Sequence, residues 1–303
     1  MRWFTAFVFA LALGGAAACG GDDGGDEAAS DGPTSTVPVQ IMAVDGHDHE
    51  MRTITVDDTE REYWLFRPTT LDPATPAPLV VDLHGIQGSA STMSPLGFSN
   101  VAEREGIVVA YPNAVDGVWD LEGTTDVAFV DALVDEVSAS IAIDAERVYA
   151  IGYSMGGEMA TFLTCHLPGE ITAVASVAIF DQRGPQACPT PSPARVLGIL
   201  GELDRIYSID DGVTDDDGFV DPPGPLAEEV DAWATTNGCS LDYEEQAVEE
   251  GVVRREYPCE SGALVLYIHP GGHSWDMGTQ DGLDTNEVIW EYLLQYTEPI
   301  DPG

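Results

Sequence analysis

A chain of 303 residues with 44% apolar content can bury one full core. Its 53 Asp plus Glu against 11 Lys plus Arg leave a formal net charge of −42. A field of that sign repels phosphate backbones and anionic lipid surfaces, which excludes nucleic acid as a partner.

Arg2, the apolar run Trp3 to Leu13 and the small residues Ala16, Ala17 and Ala18 read as an export signal over residues 1–18. The run is shorter than the ~20 residues that a membrane-spanning helix needs. Cys19 follows directly, and its placement resembles the lipobox of bacterial lipoproteins, whose processed N-terminal cysteine carries lipid, with Ala16 where that pattern usually has Leu. Cleavage after Ala18 with plain secretion is the alternative. Residues 19–38 are largely Gly, Asp, Ser, Thr and Pro and predict a flexible acidic tether, which a lipid on Cys19 would fix to a membrane. Residues 39–303 are expected to form one domain.

Met51 to Val56 and Glu62 to Arg67 flank an Asp-Asp-Thr turn and predict an opening hairpin. Six short apolar runs follow, at Leu79 to Leu83, Ile107 to Tyr111, Val148 to Ile151, Val174 to Ile179, Val196 to Leu200 and Leu264 to Ile268. Such runs suit strands covered on both faces of a parallel sheet. Val127 to Ser140, Met155 to Cys165, Leu226 to Thr236 and Glu287 to Tyr296 carry helical patterning. The alternation predicts an α/β fold with a mostly parallel central sheet and helices on both faces. Asp210 to Pro225, rich in Asp, Gly and Pro, reads as a solvated acidic loop; calcium is the competing reading, but its spacing matches no complete calcium loop. Cys165, Cys188, Cys239 and Cys259 admit three pairings, of which Cys165 with Cys188 and Cys239 with Cys259 is favoured, each closing a loop of about twenty residues.

Gly152-Tyr153-Ser154-Met155-Gly156-Gly157 lies between a predicted strand and a predicted helix. That is the context in which a G-x-S-x-G turn holds its serine up at the carboxyl edge of a sheet as a nucleophile. The N–H of Met155, at the start of the helix, is then placed to receive an oxyanion. Leu83-His84-Gly85-Ile86 ends an earlier strand, and the Ile86 N–H is the second expected donor; His84 is expected to be a structural, hydrogen-bonded residue. The order serine, acid, histidine places the base last, at His273 in Gly271-Gly272-His273, ahead of His269 and His166. An imidazole near neutrality can take the serine proton and return it to a leaving alcohol. Asp204, after the run Val196 to Leu200, is the expected acid, with Glu202, Asp210 and Asp211 as alternatives. His47 and His49 read as part of a solvated loop, with no third ligand for a metal.

Leu83-His84-Gly85, Tyr111-Pro112-Asn113 with Trp119, Thr125 to Asp131, Arg147-Val148-Tyr149 with the serine turn, Trp233-Ala234 with Asn237-Gly238-Cys239, and Gly271 to Trp275 together resemble the secreted serine esterase family of feruloyl esterases, acetyl xylan esterases and polyhydroxybutyrate depolymerases. The resemblance runs from about Thr53 to Tyr296. It departs at Asp276, where the family usually has Pro, and at Glu202, where it usually has Thr. It implies an α/β-hydrolase fold, an acyl-enzyme, no cofactor and no metal. It also implies Ser154, Asp204 and His273 as the triad, with Trp119 and Trp275 flanking a pocket for a small or polymeric ester, either a plant polysaccharide ester or a polyester. A peptidase on the same fold and a surface-anchored glycan- or polymer-binding protein without turnover are the competing readings.

Overall fold

The computed structural model describes residues 40–44, 46–179, 184–185, 188–189, 192–206, 226–277 and 283–300. The export signal, Cys19, the tether and the acidic segment with Asp210 and Asp211 lie outside the described residues. The strands are β1 (Gln40–Val44), β2 (His47–Val56), β3 (Thr59–Phe66), β4 (Ala77–Leu83), β5 (Val108–Pro112), β6 (Ile143–Tyr153), β7 (Ala173–Val177), β8 (Arg195–Gly201), β9 (Glu244–Glu249), β10 (Val252–Tyr257) and β11 (Ala263–His269). The helices are α1 (Ala90–Met93), α2 (Phe98–Glu105), α3 (Thr125–Ser140), α4 (Met155–His166), α5 (Leu226–Thr236) and α6 (Thr285–Leu293).

The strands form one sheet in the order β1-β2-β3-β5-β4-β6-β7-β8-β11-β10-β9. From β5 to β11 the neighbours are parallel; β1 to β3 and β9 to β10 add antiparallel wings. The opening hairpin turns through Asp57 and Asp58 with φ of 47° and 62°, the left-handed pair that matches the twist of two adjoining strands.

Every residue of β4, β5 and β7 is buried, because helices cover both faces. Leu79, Val81 and Leu83 point toward a cluster with Phe129, Val130 and Leu133 of α3, Met159 and Leu163 of α4 and Trp233 of α5. Val80, Tyr111 and Ile151 point the other way, into a cluster with Met93 of α1, Phe98 and Val101 of α2 and Ile289 and Leu293 of α6. A buried ion pair between Arg61 and Asp126 ties β3 to α3, and Asp126 also accepts the Asp120 N–H at 2.6 Å. Disulfides join Cys165 to Cys188 and Cys239 to Cys259, the expected pairing. No helix among the described residues is long and apolar enough to cross a membrane.

His47 and His49 open β2 rather than lying in a solvated loop. His49 is fully buried, its Nε2 3.2 Å from Ser99 Oγ and its ring packed against Phe66 and Tyr111. A strand presents alternate residues to opposite faces, so one polar stretch sends His49 inward while Asp48 stays exposed.

Candidate active site

The serine turn is built by close backbone approach. Strand β6 ends at Tyr153 and α4 begins at Met155, leaving Ser154 between them at φ 52° and ψ −126°. A non-glycine residue there is strained, and the surroundings hold it: the Ser154 N–H donates to Val177 O at 2.9 Å, and the Gly157 N–H donates to Ser154 O at 2.7 Å. A Cβ on Gly152 would collide with the Gly156 carbonyl, and one on Gly156 with the carbonyl of Leu83. Neither position tolerates a side chain.

The structure brings Ser154, His273 and Asp204 together. His273 Nε2 is 2.8 Å from Ser154 Oγ, and His273 Nδ1 is 2.7 Å from Asp204 Oδ2. Asp204 is fully buried, and its Oδ1 accepts the Ile206 N–H at 2.8 Å. With Nδ1–H donating to the carboxylate, Nε2 is the bare nitrogen that accepts from the serine hydroxyl. The alternative acid Glu202 is exposed, and its backbone N–H donates to His269 O at 2.8 Å. The turns after β8 and β11 are laced further by the Leu203 N–H, which donates to Gly271 O at 3.0 Å.

Of the other histidines, His269 is fully buried and its Nδ1 accepts the Gly271 N–H at 3.1 Å, so it supports the turn that carries His273; burial lowers its pKa. His166 donates Nδ1–H to Phe162 O at 2.9 Å at the end of α4 remote from Ser154.

The turn after β4 lies beside Ser154. The Cβ position of Gly85 is 3.4 Å from Ser154 Cβ, which puts Gly85 and Ile86 at its flank. His84 is held at both ring nitrogens: Nδ1–H donates to Gly85 O at 2.7 Å, and Nε2 accepts the Ala114 N–H at 3.1 Å. That arrangement requires the neutral ring, in keeping with a pKa lowered by burial. Trp119, expected beside a pocket, is 2% exposed, with its indole N–H donating to His84 O at 2.7 Å and its ring 4.7 Å from the His84 ring, tilted by 33°. It braces the turn from beneath.

A cavity of about 370 Å³ opens at this edge, lined by Gly85 to Gly88, Thr92, Met93, Leu96, Tyr153 and Trp275. Trp275 forms part of this wall, with its indole N–H donating to Asn286 Oδ1 at 3.3 Å. Met93, Leu96 and Tyr153 are wall residues that sequence reasoning missed. Tyr153 precedes Ser154 directly and could have been suspected on that ground; the short helix bearing Met93 has too little periodicity to announce itself.

No family model matches the sequence. NocK of Nocardia uniformis subsp. tsuyamanensis, which bears an esterase name, is 32% identical over 273 residues, covering 80% of this chain and 78% of its own length. The chain belongs to that esterase family. Feruloyl esterase C of Emericella nidulans is 28% identical over 245 residues, covering 77% of the chain and 84% of the relative. Among solved structures, the acetyl xylan esterase from Aspergillus awamori superposes with a TM-score of 0.55 at 14% identity, over 80% of the chain and 98% of that structure, a likeness of fold. The relatives carry esterase names and the solved structure shares the fold; this chain is a serine carboxylic ester hydrolase on the α/β-hydrolase fold.

Proposed function

We propose that the protein is an exported esterase that cleaves extracellular carboxylic esters through an acyl-enzyme on Ser154. The observation that carries this reading is the continuous chain from Ser154 Oγ through the His273 ring to the buried Asp204 carboxylate. His273 takes the hydroxyl proton as Oγ attacks the ester carbonyl, then hands it to the leaving alcohol. Water repeats the sequence in reverse to free the acid. Asp204 keeps the imidazole in the productive tautomer and stabilises the imidazolium.

The N–H groups of Met155 and Ile86 receive the oxyanion in this reading, each contributing about 3 kcal/mol to the transition state. The cavity between Tyr153, Trp275 and Met93 houses the acyl group, and its mainly apolar wall suits an uncharged acid part. Esters of the feruloyl or acetyl xylan kind fit the relatives' names, and a polyester remains in the same chemical class. Two disulfides support export, since such bonds persist in oxidising compartments. The same proposal takes residues 1–18 as the signal peptide, 39–303 as the catalytic domain, and Cys19 as the lipidated end of a tether.

Ser154→Ala is expected to lower kcat on p-nitrophenyl acetate by about 10⁴-fold or more while leaving the melting temperature near that of the parent. A rate within an order of magnitude of the parent would remove Ser154 from the reaction. Methyl ferulate, acetylated xylan and polyhydroxybutyrate, assayed side by side, then assign the acyl and alcohol parts.

A further inference from the structure

Tyr153, the residue before the nucleophile, touches three parts of the site at once. Its hydroxyl donates to the backbone carbonyl of His273 at 2.9 Å. Its ring lines the cavity and lies 5.3 Å from the His273 ring, tilted by 47°. On the other side, the Cβ position of Gly85 is 3.1 Å from Tyr153 Cδ1, so the ring also abuts the turn that supplies Ile86.

These contacts answer a positional problem. Asp204 fixes the tautomer and rotation of the His273 ring, but a base on a glycine-rich turn also needs its backbone held at a fixed distance from the nucleophile. The Leu203 to Gly271 bond holds that turn to the segment carrying the acid. The bond from Tyr153 holds it to the strand end carrying Ser154, so nucleophile and base move as one unit. Burial, and next the negative charge of Asp204, raise the Tyr153 hydroxyl pKa, so it stays a protonated donor through neutral pH.

We propose that Tyr153 has two separable roles: its hydroxyl is a positioning group that sets His273 against Ser154, and its ring is a wall that selects the acyl group. The proposal rests on Ser154 as nucleophile and His273 as base. The first role acts on kcat and the second on KM.

The test compares the parent, Tyr153→Phe, Tyr153→Leu and Ser154→Ala on p-nitrophenyl acetate and on a p-nitrophenyl ester of a bulky aromatic acid. Concentrations of competent sites are set by the acyl-enzyme burst and folding by the melting temperature. Tyr153→Phe is expected to lose about tenfold in kcat on both esters with KM held within about twofold, the size of one net hydrogen bond. Tyr153→Leu is expected to lose the same kcat and to raise KM about tenfold on the bulky ester alone. A parental kcat per burst site in Tyr153→Phe would overturn the positioning role. A Tyr153→Leu variant whose KM ratio between the two esters matches the parent would overturn the wall role. Activity surviving in Ser154→Ala would instead strike the underlying assignment, which separates that failure from either of the others.

Discussion

Gly201, the last residue of β8, is packed against Gly272, in the turn that presents His273: a methyl group on Gly201 would collide with the carbonyl oxygens of Gly271 and Gly272. The turns carrying Asp204 and His273 are therefore one packed unit, and backbone alone fills the space between them. Gly201→Ala must push them apart. Because a shift of about 1 Å in a reacting group costs about 10²-fold, kcat on a short-chain ester should fall by about that factor with the far-UV circular dichroism unchanged. A parental rate would mean that the two turns adjust independently.

The two tryptophans expected at the pocket have different surroundings, and their variants should separate. Trp119→Phe removes the hydrogen bond to His84 O in the turn after β4, so it should lower stability by about 1 kcal/mol and reduce kcat with little change in KM. Trp275→Leu removes a cavity wall and should raise KM for a bulky acyl ester several-fold more than for an acetyl ester. Steady-state kinetics on both esters with thermal melts decide it; an acyl-dependent KM in Trp119→Phe would contradict the buried placement.

What could be read in advance follows from where the physics is local. The central strands announce themselves because β4, β5 and β7 are covered on both faces and need apolar residues at every position. Strand β9, with Glu244, Glu245 and Glu249, has no such run; pairing with β10 places it, and no signal in its own residues does. Ser154 was legible because the strained turn demands glycines on both sides. Asp204 was legible because it follows a strand end that must face the serine. The burial of Trp119 was not legible, because an aromatic near a predicted pocket can lie in its wall or under its floor, and only tertiary packing chooses. The burial of His49 depends likewise on Trp64, Phe66 and Tyr111 arriving from other strands.

Glu170 lies against Asp131 and Asp135 of α3, and burial followed by the charge of Asp131 pushes its carboxyl up to about 7 from an ordinary 4.5. Between those values the folded protein keeps a proton that the unfolded chain has lost. Stability therefore falls as pH rises through that window, and the full cost stands above it. Glu170→Gln holds the neutral form throughout. Its melting temperature should match the parent at about pH 4 and exceed it at about pH 8. Equal melting temperatures at the higher pH would show that Glu170 titrates normally.

The carboxylates of β9 bear on how the molecule behaves in a crowd. Among the described residues β9 pairs only with β10, so its other side offers backbone amides and carbonyls to any strand that approaches. Glu244 and Glu245 are exposed there, and a second copy aligning edge to edge would set like charges face to face. The rim that strand pairing leaves open is thus guarded by charge, which opposes association of one copy with another along it.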